Sequence, residues 1–226
     1  MKKLFLLILI LVTPSMIIAG SDARYFPKGT FINDKEIPNS IKITNIDGSV
    51  LTYSSDDDLQ NDYYTGLLID MDEPSLWLRS NTGKKIESYR LLIEPSFDNY
   101  ICVRIDIDSS ENVSVYLKVR SHDYTDENDK VIKGKLITNL SKSLSKREIK
   151  PLIKKLNDIN LWKMKEDDFP IVDPESNGIS TDGTTFFFEH AKDNKYQAIE
   201  IPIPNYGPVD NEVFYQIADS FTDLVD

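Results

Sequence analysis

Cysteine is almost absent: Cys102 stands alone in 226 residues, so no intramolecular disulfide braces the fold even in an oxidising compartment. Stability must come from a packed core. Histidine is nearly as scarce, with His122 and His190 only. No G-x-S-x-G elbow is present either, which leaves a Ser-His-Asp hydrolase without its parts. Zinc has neither an H-E-x-x-H pair nor paired cysteines to bind. The nine glycines form no dinucleotide fingerprint and no phosphate-binding loop. No cofactor and no metal are therefore expected.

Positive charge is also in deficit, with 26 lysines and arginines against 37 acids and a formal charge of −11. Nucleic acid is a poor ligand for such a chain, because its binding rests on cationic neutralisation of phosphates. Anionic membrane surfaces are disfavoured for the same reason. A basic protein partner, by contrast, is steered towards it.

What the chain does have is a strong amino-terminal pattern. Lys2 and Lys3 precede an apolar run from Leu4 to Val12 that continues more loosely to Ala19, the layout of a secretory signal peptide over residues 1–19. Thr13, Pro14 and Ser15 interrupt the run before the roughly 20 residues that a membrane-spanning helix needs. Cleavage between Ala19 and Ala23, with no stable membrane anchor, is the expectation, and no cysteine follows the run to accept a lipid. The product is then periplasmic or secreted. Its charge becomes −13, with 24 basic against 37 acidic residues.

The roughly 200 residues that follow can bury about 70% of their unfolded surface, and residues 24–226 read as a single α+β domain. Residues 24–58 are polar and irregular, with a hairpin expected around Asp47-Gly48. Asp56, Asp57 and Asp58 place negative charge at the start of a helix whose apolar positions are Leu59, Tyr63, Leu67 and Leu68, and Pro74 ends it. Strands are predicted at residues 89–94, 100–107 and 113–119. In the second, Ile101, Val103, Ile105 and Ile107 alternate with Cys102, Arg104 and Asp106. That period of two predicts an antiparallel meander packed on one side, with Cys102 half-buried. A fourth strand is expected at residues 131–140 after an exposed hydrophilic loop at 122–130. Ser145 and Glu148 form a capping box for a helix carrying Ile149, Leu152, Ile153, Leu156 and Ile159. A C-terminal hairpin across Asp193-Asn194 and a helix with Val213, Ile217, Phe221 and Leu224 complete a sheet packed by about three helices.

The segments EPSL at Glu73, ESYR at Glu87, CVRID at Cys102, KSLS at Lys142, and DGTTFFFE at Asp182 followed by Tyr196 resemble a family of exported bacterial proteins of unknown function. The resemblance covers about residues 58–224 and implies fold and export, not mechanism. Where that family carries a tryptophan, an arginine and a histidine after the tyrosine-arginine strand, this chain has Ile93, Pro95 and Asp98. Ile201 and Pro202 replace its arginine-tryptophan pair, and HDYTDENDK replaces its glycine-rich loop.

Chemistry has few footholds. Asp182, Glu189 and Arg90 are the residues an acid-base site would use, but Glu189 paired with Arg90 or Arg104 on a sheet face is the simpler, structural reading. Asp106, Asp108, Ser110 and Asn112 imitate the start of a calcium loop, yet Glu111 replaces its turn glycine and Leu117 its bidentate glutamate. The acidic loop with Asp123, Asp126, Glu127 and Asp129 is the binding surface the sequence suggests. Two functions of different class remain. One is a non-catalytic exported binding protein of the cell envelope, for example an inhibitor or immunity protein for a basic toxin or hydrolase. The other is an envelope hydrolase using carboxylate or Cys102 thiol chemistry.

Overall fold

The computed structural model describes residues 25–31, 41–44, 50–53, 56–82, 85–127, 130–164, 183–204 and 212–225. The signal segment and Asp182 lie outside them. In chain order the elements are β1 (Ile41–Thr44), β2 (Val50–Tyr53), α1 (Asp56–Asp70), α2 (Leu76–Ser80), β3 (Glu87–Pro95), β4 (Tyr100–Ile107), β5 (Val113–Arg120), β6 (Tyr124–Thr125), β7 (Val131–Ile132), β8 (Leu136–Leu144), α3 (Lys146–Asp158), β9 (Gly183–Lys192), β10 (Lys195–Pro204) and α4 (Glu212–Thr222). Six strands form one antiparallel sheet in the order β10-β9-β3-β4-β5-β8. The meander is β3-β4-β5-β8 and the C-terminal hairpin is β9-β10, so the class is α+β. Among the described residues four α-helices are present where about three were expected, because the five-residue α2 carries no periodic signal of its own.

Local chemistry accounts for the boundaries. Asp193 and Asn194 both take positive φ (49° and 61°), the two-residue turn whose twist matches its flanking strands. In the β4-β5 turn the Asp108 carboxylate accepts from the backbone N–H groups of Ser110 and Asn112, so the calcium-like spacing serves a turn. Glu148 Oε2 accepts from both the N–H and the hydroxyl of Ser145 at 2.7 Å, fixing the start of α3. Helix α1 stops before Pro74: Asp72 turns left-handed (φ 54°) and the Glu73 N–H closes back on the Leu68 carbonyl at 2.8 Å. On α1 it is Tyr64, not Tyr63, that faces the core. The predicted fourth strand divides into β7 and β8. The predicted loop at 122–130 includes β6, which pairs with β7 in a small hairpin.

One face of the sheet meets α3 and α4. Leu91, Val103, Ile105, Val115, Phe186 and Phe188 pack there against Leu152, Leu156, Ile217 and Phe221, all buried. The opposite face corrects the expectation of a sheet packed on one side only. Phe187, Leu92 and Cys102 on that face lie beneath Tyr64, Leu67, Leu68 and Met71 of α1 and beneath Phe26 and Phe31 of the preceding segment. Phe187 stacks on Tyr64 with ring centroids 4.6 Å apart and on Phe31 at 5.6 Å, while Phe26 meets it edge-on at 5.6 Å. Cys102 is buried (1% exposed) rather than half-buried. Among the described residues no helix is long and apolar enough to cross a membrane.

Candidate functional site

The strand residues that read as solvent-facing lie under α1 and α2. Register sets Arg90 of β3 directly opposite Arg104 of β4 on one side and Glu189 of β9 on the other. Two like charges side by side in a sheet repel, and burial strengthens that repulsion. Carboxylates resolve it. The Arg90 Nε donates to Glu189 and its Nη1 to the Pro74 carbonyl at 2.7 Å. Arg104 Nε donates to Glu73 Oε2 at 2.8 Å, Arg90 Nη1 lies 3.5 Å from the same oxygen, and Lys118 Nζ lies 3.2 Å from Glu73 Oε1. One carboxylate, delivered by the left-handed turn after α1, thus holds three cations from three adjacent strands.

The network extends outward with charge in balance. Arg79, Arg90, Arg104, Lys118 and Arg120 meet Asp70, Glu73, Asp106, Asp123 and Glu189. Asp106 joins Arg104 and Arg79 and accepts from Ser88 at 2.7 Å. Tyr196 donates to Glu189 Oε1 at 2.8 Å. The Arg104 guanidinium also sits over the Tyr116 ring, 4.0 Å from its centroid. Arg90 and Glu189 side chains are both fully buried (0% exposed). Burial works against the Arg90 charge, and Glu189 with the other neighbouring anions outweighs it, so the guanidinium pKa lies above its ordinary value. Cys102 shares this interior. Burial, reinforced by Glu73, pushes its thiol well above the usual range and so disfavours the thiolate.

Of the residues singled out in the sequence, Arg90, Arg104 and Glu189 are therefore brought together. Glu73, Asp106, Lys118, Arg120 and Tyr196 are members that the sequence reading missed. The acidic loop is partly committed to the fold. Asp123 accepts from Arg120 at 2.6 Å and from the Gly134 N–H at 2.7 Å, and Asp126 accepts from the Lys130 N–H at 3.0 Å. Glu127 is exposed, and Asp129 lies outside the described residues. Among the described residues no group of three or more metal-ligating side chains is gathered.

A groove of about 430 Å³ opens on the other side of the sheet, floored by Tyr89, Ile107 and Ile149 and walled by Lys146, Lys150 and Lys154 of α3. At its end Glu87 accepts from Tyr89 at 2.6 Å and Lys192 at 2.8 Å, with His190 Nε2 3.4 Å away. The hydrogen bonds from His190, Lys192 and Tyr89 outweigh partial burial and lower the Glu87 pKa from 4.5 to about 2. A depressed folded-state pKa contributes stability that is complete above pH 4.5 and lost as pH falls towards 2. Urea midpoints measured across that window should fall less steeply for Glu87→Gln than for the parent. Parallel slopes would remove Glu87 from the acid response.

No family model matches the chain, and no curated protein matches it.

Proposed function

We propose that the chain is an exported, non-catalytic binding protein of the bacterial cell envelope that restrains a basic toxin or hydrolase. The observation that carries this reading is the enclosure of Arg90, Glu189 and Cys102 between the sheet and its covering helices, out of reach of any substrate. The pairing of Arg90 with Glu189 and the burial of Cys102 favour a binding role over the hydrolase alternative. Export rests on the signal-like residues 1–19 and on the resemblance to exported proteins. The basic partner follows from the formal charge of −13 after cleavage, 24 basic residues standing against 37 acidic ones.

The test uses protein beginning at residue 20 as bait for an envelope extract. At low salt it should retain a basic protein and inhibit that protein's activity. Retention should weaken as the Debye length contracts from about 30 Å at 0.01 M salt to about 8 Å at 0.15 M. Joint neutralisation of Asp126, Glu127 and Asp129 should reduce capture if the acidic loop is the contact surface, and unchanged capture would reject that surface. Failure to retain any basic protein at low salt contradicts the proposal as a whole.

A further inference from the structure

Among the described residues strand β8 ends the sheet, and none of its nine residues is buried. Among the described residues its backbone pairs with β5 on one side only, so alternate N–H and C=O groups along about 30 Å of strand point away from the sheet. The opposite edge differs. There β10 carries Pro202 and Pro204, which have no N–H to offer a further strand. β8 contains no proline, and beyond a register shift near its start it runs regularly from Thr138 to Leu144. Leu140 (52% exposed) lies opposite Leu117 and continues the apolar row of β5 to the sheet margin.

Charge marks this edge as a place of its own. Between Lys130 and Lys150 stand six lysines and Arg147 against one acid, Glu148, while the rest of the chain holds 19 basic and 36 acidic residues. Lys142 is on the strand and exposed; Lys133 and Lys135 precede it, and Lys146 and Arg147 follow at the start of α3. Three of these cations have acidic neighbours, Lys146 with Glu111 at 2.7 Å, Lys133 with Asp70 at 3.9 Å, and Lys142, which acts electrostatically on the Glu148 carboxylate. A second copy of the chain would set basic edge against basic edge. An acidic strand would meet both the free backbone groups and the surrounding lysines.

We propose that β8 receives an extended, acidic segment of a protein partner by strand addition, antiparallel or parallel, extending the sheet to seven strands. The backbone supplies affinity and the lysines select for acidic side chains. This goes beyond the basic-partner reading and does not depend on it, since it concerns a different surface of opposite charge.

The experiment measures fluorescence anisotropy of an end-blocked peptide alternating valine or threonine with glutamate, titrated with the chain from residue 20. Saturable binding is expected, abolished when alternate peptide amides are N-methylated and absent for the lysine-for-glutamate peptide. Lys142→Glu should weaken binding by about tenfold, the scale of a charge reversal at an interface, with an unchanged urea midpoint showing that the fold is intact. The proposal is overturned by no binding, or by equal binding of the N-methylated peptide, which would signify charge attraction without strand pairing. Sedimentation as a dimer that Lys142→Glu alters would assign the edge to a second copy and overturn it too. Because the probe is synthetic, its outcome is separate from the search for a basic partner.

Discussion

Glu73→Gln is expected to lower the unfolding free energy by about 3–5 kcal/mol, the cost of removing one partner from a buried ionic cluster. The size follows from position. Glu73 is 2% exposed and compensates Arg90, Arg104 and Lys118 together, two of them direct cross-strand neighbours. Glutamine keeps the volume and removes the one charge shared by all three, so Arg90 keeps Glu189 and Arg104 keeps Asp106 while the cations repel one another with less compensation. Glu189→Gln should cost less, because Glu189 pairs with Arg90 alone and Arg90 retains Glu73 and the Pro74 carbonyl. Urea unfolding of both variants gives the comparison. A loss at Glu73 below about 1 kcal/mol, typical of an exposed ion pair, would mean that the cluster is hydrated.

A second large effect is expected at Phe26. Its ring is fully buried (0% exposed) and contacts Phe31, Phe187 and Tyr196 in the aromatic cluster on the second face. Phe26→Ala should cost about 3–5 kcal/mol if the cavity cannot collapse. The segment is tied elsewhere by Tyr25, whose hydroxyl donates to the Glu73 carbonyl at 3.0 Å and whose carbonyl accepts from Ser75 at 2.5 Å. Loss of the ring should therefore loosen residues 25–31 and raise the reactivity of Cys102 by more than the global destabilisation accounts for. Equal changes in midpoint and thiol reactivity would mean that the segment and the sheet open as one unit.

The two faces of the sheet were unequally legible. The face against α3 and α4 was written in period-two and period-3.6 patterns, and Ile149, Leu152, Leu156, Ile217 and Phe221 lie where that periodicity puts them. The other face was misread because its strand positions are Arg90, Arg104, Asp106, Lys118 and Glu189, residue types that alternation assigns to water. A signal was nevertheless present. Phe186, Phe187 and Phe188 are consecutive, as are Leu91 and Leu92, and a strand with apolar residues on successive positions is buried on both faces. The sequence carried no comparable sign of Glu73, whose role depends on the left-handed Asp72 aiming it across three strands. The edge character of β8 was likewise hidden, since strand order is a property of the assembled sheet.

Reaction of Cys102 with a disulfide reagent in the native, unmodified protein tests most directly the claim that the charged face of the sheet is sealed interior. Labelling should require opening: negligible in buffer, rising with urea in parallel with unfolding. Prompt stoichiometric labelling under native conditions would contradict it, because reagent reaching Cys102 would also reach the neighbouring Arg90 and Glu73.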